Sequence, residues 1–189
     1  MPELPLEIWK DRIENELESL KRLNVLEDNS IIRKENSVEL IVNIKSLGFV
    51  LKEGSQSLDL IPQKNHKIML KLNRNFPYPG GIDFAWYSPI FHPNIHPVEL
   101  GSGETGTGYI CLNVLKKWSL LSDMDTTVKA LKLLVENPNP DDPLNYPICL
   151  EATEFFKHNT MADLKEKYDF EKAEAEAEEA DDDIVIIDD

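Results

Sequence analysis

Apolar residues recur at three- and four-residue intervals near the start of the chain. In P-L-E-I-W-K-D-R-I-E-N-E-L-E-S-L-K-R-L, residues 5–23, Leu6, Trp9, Ile13, Leu17 and Leu20 share one face, and Lys10, Asp11, Glu14, Glu18 and Lys21 the other. This period predicts an amphipathic helix packed on a core, with its charged face in solvent or against a partner. The pattern then shortens. V-E-L-I-V-N-I at 38–44, F-V-L-K near 49, S-L-D-L-I near 57, H-K-I-M-L-K-L at 66–72 and I-D-F-A-W at 82–86 are rich in β-branched and aromatic residues and are punctuated by Gly, Asn or Pro. They predict a meander of about four antiparallel strands.

F-P-Y-P-G-G at 76–81 reads as a turn. From His92-Pro93-Asn94 to Gly108 the chain is glycine-rich and without period, which predicts a long functional loop rather than a strand. After Trp118, D-M-D-T-T-V-K-A-L-K-L-L-V-E-N-P predicts a helix with Asp123 or Asp125 as N-cap, a buried stripe of Val128, Leu131, Leu134 and Val135, and a stop at Pro138. A proline-rich turn, P-N-P-D-D-P-L-N, leads to another helix near 146–157. Thr160 and Asp163 have the spacing of a capping box and should open a last helix running to about Ala180. The expectation is an α+β fold: N-terminal helix, antiparallel meander, C-terminal helices. Residues 1–158 form the core, and 159–189 an acidic helical extension ending in an Ile/Val-rich tail. No internal repeat is present.

Composition narrows the class. The chain has 189 residues, 41% hydrophobic and 29% charged, as in a soluble globular protein. No apolar run approaches the ~20 residues of a membrane span, and the N-terminus lacks a secretory pattern. Cys111 and Cys149 are too few for a disulfide scaffold, which fits a reducing cytoplasmic or nuclear setting. The net charge is −15, and from Asp163 onward there are 13 acids against 3 bases. Acidity concentrated in a tail argues against a nucleic-acid partner as well as a membrane one.

The chemistry gathers around Cys111. A thiolate is a good nucleophile and forms thioesters, which pass their acyl group readily to amines. Such a carrier needs an accessible cysteine, a donor for the oxyanion formed when an amine attacks, and a carboxylate to orient the amine and take its proton. Asn94, held by the rigid His92-Pro93 turn, is a candidate donor; Asp141 and Asp142 are candidate carboxylates if the proline turn folds back over Cys111. The residues alone also allow Cys111 to be a packed small hydrophobe. Zinc held by His92, His96 and Cys111 is disfavoured, because Pro93 and Pro97 break the helix that the His-x-x-x-His spacing needs. No metal is expected. Cys149 reads as packed.

H-P-N-I, then G-Y-I-C-L-N-V-L-K-K-W-S, then N-P-N-P-D-D-P-L-N, together with the order helix, meander, Cys, Trp, helices, resembles the ubiquitin-conjugating enzyme (E2) family over about residues 5–158. The resemblance implies the UBC fold and an acyltransferase in the ubiquitin conjugation pathway. Cys111 would carry ubiquitin or a ubiquitin-like modifier as a thioester and transfer it to a lysine amine. Asn94 would stabilise the oxyanion or hold the catalytic loop, and Asp142 would sit near the incoming lysine. His92 and Pro93 would brace the turn, and Trp118 would pack in the core. An activating enzyme (E1) would dock on the first helix through Lys10, Arg12, Lys21 and Arg22. A ligase (E3) would meet Tyr78, Pro79, Leu120 and Leu121. No cofactor is implied, since ATP is used by the upstream E1. The motif forms lean slightly toward a Nedd-type modifier.

The chain also departs from the family pattern. The Asn94–Cys111 segment is about nine residues longer than usual, and an omega-like bulge would keep its ends together. Gly80-Gly81 stands where Pro-Pro is usual, Trp-Ser-Leu-Leu replaces Trp-Ser-Pro-Ala, and the Cys111–Trp118 spacing is one residue short. Two alternatives remain: a non-catalytic ubiquitin-binding module of the same fold, and a thiol hydrolase using Cys111, His92 and Asn94 or Asp142. In the tail, Ile184, Val185, Ile186 and Ile187 lie between aspartates and resemble a SUMO-interacting motif. This points to a SUMO-like partner paired by strand addition, against the plainer reading of a solvated acidic end.

Overall fold

The computed structural model describes residues 3–52, 58–101, 103–111 and 123–169. Trp118, Leu120, Leu121 and the Ile184–Ile187 segment lie outside the described residues. The first helix, α1 (Leu6–Arg22), buries Trp9, Ile13, Leu17 and Leu20, as the period requires. Leu6 is 44% exposed, so the buried stripe begins one turn later, at Trp9. The Trp9 indole N–H donates to Asn73 O at 3.0 Å, anchoring the helix to the sheet.

The sheet follows, in the order β1 (Ile32–Lys34), β2 (Ser37–Leu51), β3 (Leu60–Asn73) and β4 (Ile82–Trp86), with all neighbours antiparallel. Alternation in β2 places Val38, Leu40, Val42 and Ile44 inward, and β3 answers with Leu72, Leu70, Ile68 and His66 in direct register. Trp86, Ile13, Leu17 and Leu20 complete this core. The separate runs expected at 38–44 and 49 are one strand: a register shift between Lys45 and Gly48 breaks the alternation without ending the pairing. At that irregularity α2 (Met124–Glu136) closes on the sheet. A Cβ on Gly48 would sit 3.1 Å from both a His66 ring carbon and a Val135 methyl, so glycine permits the approach. Strand β1 was not foreseen, since all three of its residues are exposed.

The Tyr78–Gly81 turn is organised by Asn73, whose side-chain amide donates to Gly80 O at 2.9 Å and whose backbone N–H donates to Gly81 O at 2.9 Å. Gly80 has φ +81°, and a Cβ on Gly81 would lie 2.3 Å from Phe76 N, so glycine is required at both positions.

Asp123 caps α2, its carboxylate accepting from Thr126 N at 2.7 Å. Helix α3 (Pro147–Phe156) starts with Pro147 at its first position and buries Cys149, Ala152, Thr153 and Phe156. Thr160 and Asp163 exchange the expected capping-box bonds, each side-chain oxygen accepting the other's N–H at 3.2 Å. Residues 161–169 are helical, and Met161 and Leu164 pack with Phe91, Phe156, Leu51 and Ile148 in a second apolar cluster.

One buried charge links two helices. Glu16 lies on the inner face of α1, only 4% exposed. One of its carboxylate oxygens pairs with Arg12 at 2.7 Å; the other accepts from Met124 N, at the start of α2, at 2.8 Å. A carboxylate there satisfies an otherwise orphaned helix N–H and complements the dipole. Glu16→Ala should cost about 2–4 kcal/mol in urea unfolding, because it leaves the buried Met124 N–H without its acceptor and removes an ion-pair partner of Arg12. Glu16→Gln retains an acceptor for Met124 and should cost clearly less. Equal losses would remove this account.

Candidate active site around Cys111

The chain reaches the site through residues 92–95, and nearly every polar group there goes to a different element. His92 accepts the Asn94 N–H on Nδ1 at 3.0 Å and donates from Nε2 to Leu134 O, near the end of α2, at 3.0 Å. Pro93 O accepts from Leu144 N at 2.9 Å. Ile95 O receives the Cys149 thiol at 3.3 Å, which fixes α3. Ile95 also starts β5 (Ile95–His96), paired with β6 (Tyr109–Ile110) as Ile95↔Ile110 and His96↔Tyr109. Cys111 follows directly, and its N–H donates to Asn94 O at 2.9 Å.

Asn94 therefore sits between the thiol and the proline-rich turn. Its main chain holds Cys111, and its side chain holds residues 139–142. Oδ1 accepts from Asn139 N at 2.7 Å, while Nδ2 donates to Asn139 O at 3.0 Å and to Asp142 O at 2.9 Å. Both amide hydrogens are thus engaged, and Asn94 is only 3% exposed. In this arrangement the amide acts as a tether for the loop rather than as a free oxyanion donor. Asp141 and Asp142 are exposed at the tip of that loop.

The two cysteines differ sharply. Cys111 is half-buried, whereas Cys149 is fully buried and its thiol is pushed up to about 12 by desolvation. Among the described residues no three His, Cys, Asp or Glu side chains gather as a metal site, so His92, His96 and Cys111 do not converge on one.

The glycine-rich segment expected as a loop carries strand pairing. Val98 N and Glu99 N donate to Trp86 O and Tyr87 O at 2.8 and 3.0 Å, and Glu99 bridges Thr105. The excursion is a hairpin laid along the end of β4, and its feet are the two-residue ladder that places Asn94 beside Cys111. His96 stacks on Tyr146 with centroids 3.8 Å apart, locking the hairpin's base to the segment before α3. That pairing was invisible in the sequence. Glu16 did carry a signal, as an acid three residues after Ile13 on the apolar face.

Of the residues expected to meet partners, Lys10, Lys21 and Arg22 are exposed. Arg12 is paired with Glu16 and lies over the Phe76 ring. Tyr78 is half-buried and Pro79 exposed.

Residues 60–168 match the family model for ubiquitin-conjugating enzymes. The chain belongs to the ubiquitin-conjugating enzyme family. It is 34% identical over 125 residues to the Homo sapiens ubiquitin-conjugating enzyme E2 T, covering 60% of this chain and 56% of that protein. Over 93 residues it is 33% identical to the Arabidopsis thaliana probable ubiquitin-conjugating enzyme E2 31, covering 49% and 51%. The chain thus spans about half the length of these two relatives. It is 31% identical over 123 residues to the Drosophila melanogaster ubiquitin-conjugating enzyme E2 N, covering 53% and 75%. The E2 domain of a Toxoplasma gondii ubiquitin conjugating enzyme superposes with a TM-score of 0.52 over 79% of this chain and 87% of that one, at 19% identity. This likeness shows the UBC fold.

The family's His-Pro-Asn turn gives this chain a defined acid response. Burial pushes the His92 imidazole down to about 3. Between about 3 and the ordinary 6.5, the unfolded chain binds a proton that the folded chain excludes. Stability should therefore fall as pH drops below 6.5, by up to about 1.4 kcal/mol per unit from this group. His66 and His96, lowered in the same direction by burial, add to it. His92→Asn should be less stable at pH 7 yet lose less between pH 6.5 and 4.5, as read by urea midpoints. A parallel pH profile would refute the assignment.

Proposed function

We propose that this chain carries a ubiquitin-like modifier on Cys111 and delivers it to a lysine amine. The observation that supports this best is the double hold of Asn94: its backbone oxygen accepts the N–H of the half-buried Cys111, and its side chain donates to the backbone of Asp142. In the first step the Cys111 thiolate attacks the modifier's thioester on an activating enzyme; a new C–S bond forms and the E1 thiol leaves. In the second, a neutral lysine amine attacks that carbonyl, the C–N bond forms, and the Cys111 thiolate departs. The ammonium proton goes to solvent with the help of the Asp142 carboxylate. Asn94 is assigned the positioning of the 139–142 loop. ATP is consumed upstream, by the E1.

A hydrolase would need His92 as a base. Both of its ring nitrogens are bonded, and burial keeps it neutral without leaving it reachable. A non-catalytic module would bind modifier without needing the thiol.

Charging tests the reading: the protein is incubated with E1, ATP and either ubiquitin or a Nedd-type modifier, then run on a non-reducing gel. A thiol-sensitive adduct should form with one modifier. Cys111→Ala should abolish it, and Cys111→Ser should convert it to a thiol-resistant ester. Adduct formation that survives Cys111→Ala, or no adduct with either modifier, would overturn the reading.

Asp142→Ala should charge normally but discharge to free lysine on the order of tenfold to a hundredfold more slowly. The deficit should shrink as pH rises and more amine is neutral. Unchanged discharge would exclude the carboxylate.

A further inference from the structure

The hairpin that replaces the usual short turn before Cys111 builds something of its own. Between its tip, the end of β2 and the start of α3 lies a groove of about 880 Å³. Its floor is apolar: Leu51 from β2, Phe91, Leu100 from the hairpin and Ile148 from α3. Among the described residues, Glu104 on the hairpin and Glu151 on α3 line it as carboxylates, against one cation, Lys52. Both glutamates are exposed, and neither takes part in an ion pair found among the described residues. His96 also lines the groove. Its Nδ1 is held by Thr107, whose backbone N–H donates to it at 3.3 Å, so Nε2 carries the proton and is the ring's remaining donor.

Volume and lining are those of a binding pocket: apolar surface with a few polar groups that fix orientation. The groove does not include Cys111, but the two are neighbours. His96 pairs with Tyr109, two residues before the thiol, which is roughly 7 Å along a strand. A chain lying in the groove would thus present a nearby residue to Cys111.

We propose that this groove selects the acceptor protein, binding a short segment in which an apolar pair is flanked by lysine or arginine. The inference rests on the conjugating activity proposed above and names the substrate class it favours. The apolar pair would cover Leu51, Phe91 and Ile148. The basic flanks would meet Glu104 and Glu151, and a backbone carbonyl would accept from His96. An acidic occupant, such as this chain's own aspartate-flanked tail, would face two carboxylates against one ammonium and is disfavoured by like-charge repulsion.

The test uses the full chain and two fluorescein-labelled hexapeptides. One has a Leu-Phe pair between lysines; its twin has glutamates in place of the lysines. Fluorescence anisotropy should show the lysine peptide binding at least tenfold more tightly, with the preference weakening as salt is raised. Glu104→Lys combined with Glu151→Lys should erase or reverse the preference, while charging of Cys111 by E1 stays as in the unaltered chain. Leu100→Asp should weaken both peptides. Equal binding of the two peptides, tighter binding of the glutamate twin, or a preference that survives the double substitution would overturn the proposal. Charging is read separately. A chain that discriminates the peptides but never forms a thioester would retain the groove and lose the conjugating role. A chain that charges normally and fails to discriminate would do the opposite.

Discussion

The structure around the thiol depends on the buried polar groups of residues 92–95 all being satisfied at once. His92 reaches the end of α2, Pro93 reaches Leu144, Asn94 reaches the 139–142 loop, and Ile95 reaches α3. In a low-dielectric interior none of these groups can exchange its partner for water at small cost. The end of α2, the loop after it and the start of α3, which follow one another from Leu134 to Cys149, are therefore held in one arrangement against residues 92–95. The rigidity of proline narrows the turn further. A chain segment of four residues thus ties the backbone of Cys111 and the backbone of Asp142 to one residue, Asn94.

The same bonds assign different work to chemically similar groups. The Cys149 thiol donates to Ile95 O and is fully buried, whereas Cys111, which follows β6, is half-buried. Desolvation suppresses ionisation of Cys149 and so removes that thiol as a nucleophile. The carboxylates divide in a similar way. Glu16 is sequestered to join α1 to α2, whereas Asp141 and Asp142 are displayed on a loop whose backbone, rather than whose side chains, is tied to Asn94.

Much of the fold was legible because its periods are long. Alpha helix α1 repeats its apolar stripe over four turns, and the Asp123 cap and Thr160/Asp163 box use local bonds that need only neighbouring residues. Strand β1 carries no alternation, since all three of its residues are exposed. Strands β2 and β3 looked fragmentary because the irregularity at Lys45–Gly48 resets the alternation and because Pro62 and the polar run from Gln63 to Asn65 interrupt β3 after its first two residues. The hairpin after His96 was hidden for a related reason: the ladder between its feet is only two residues long, and its further backbone bonds go to the end of β4, distant in sequence. At the site, the candidate residues were visible as types. Their juxtaposition came from the likeness of three motifs to a family, because contacts across more than forty residues leave no local period. Asn94's contact with Asn139 and Asp142, and the stacking of His96 on Tyr146, are of that kind.

The two rungs joining Ile95 to Ile110 and His96 to Tyr109 act as a clasp. What lies beyond the clasp can lengthen, shorten or change its chemistry while the sulfur keeps its address. A lineage can therefore remodel the neighbourhood of Cys111 by insertion, without disturbing the pairing that sets its backbone beside Asn94.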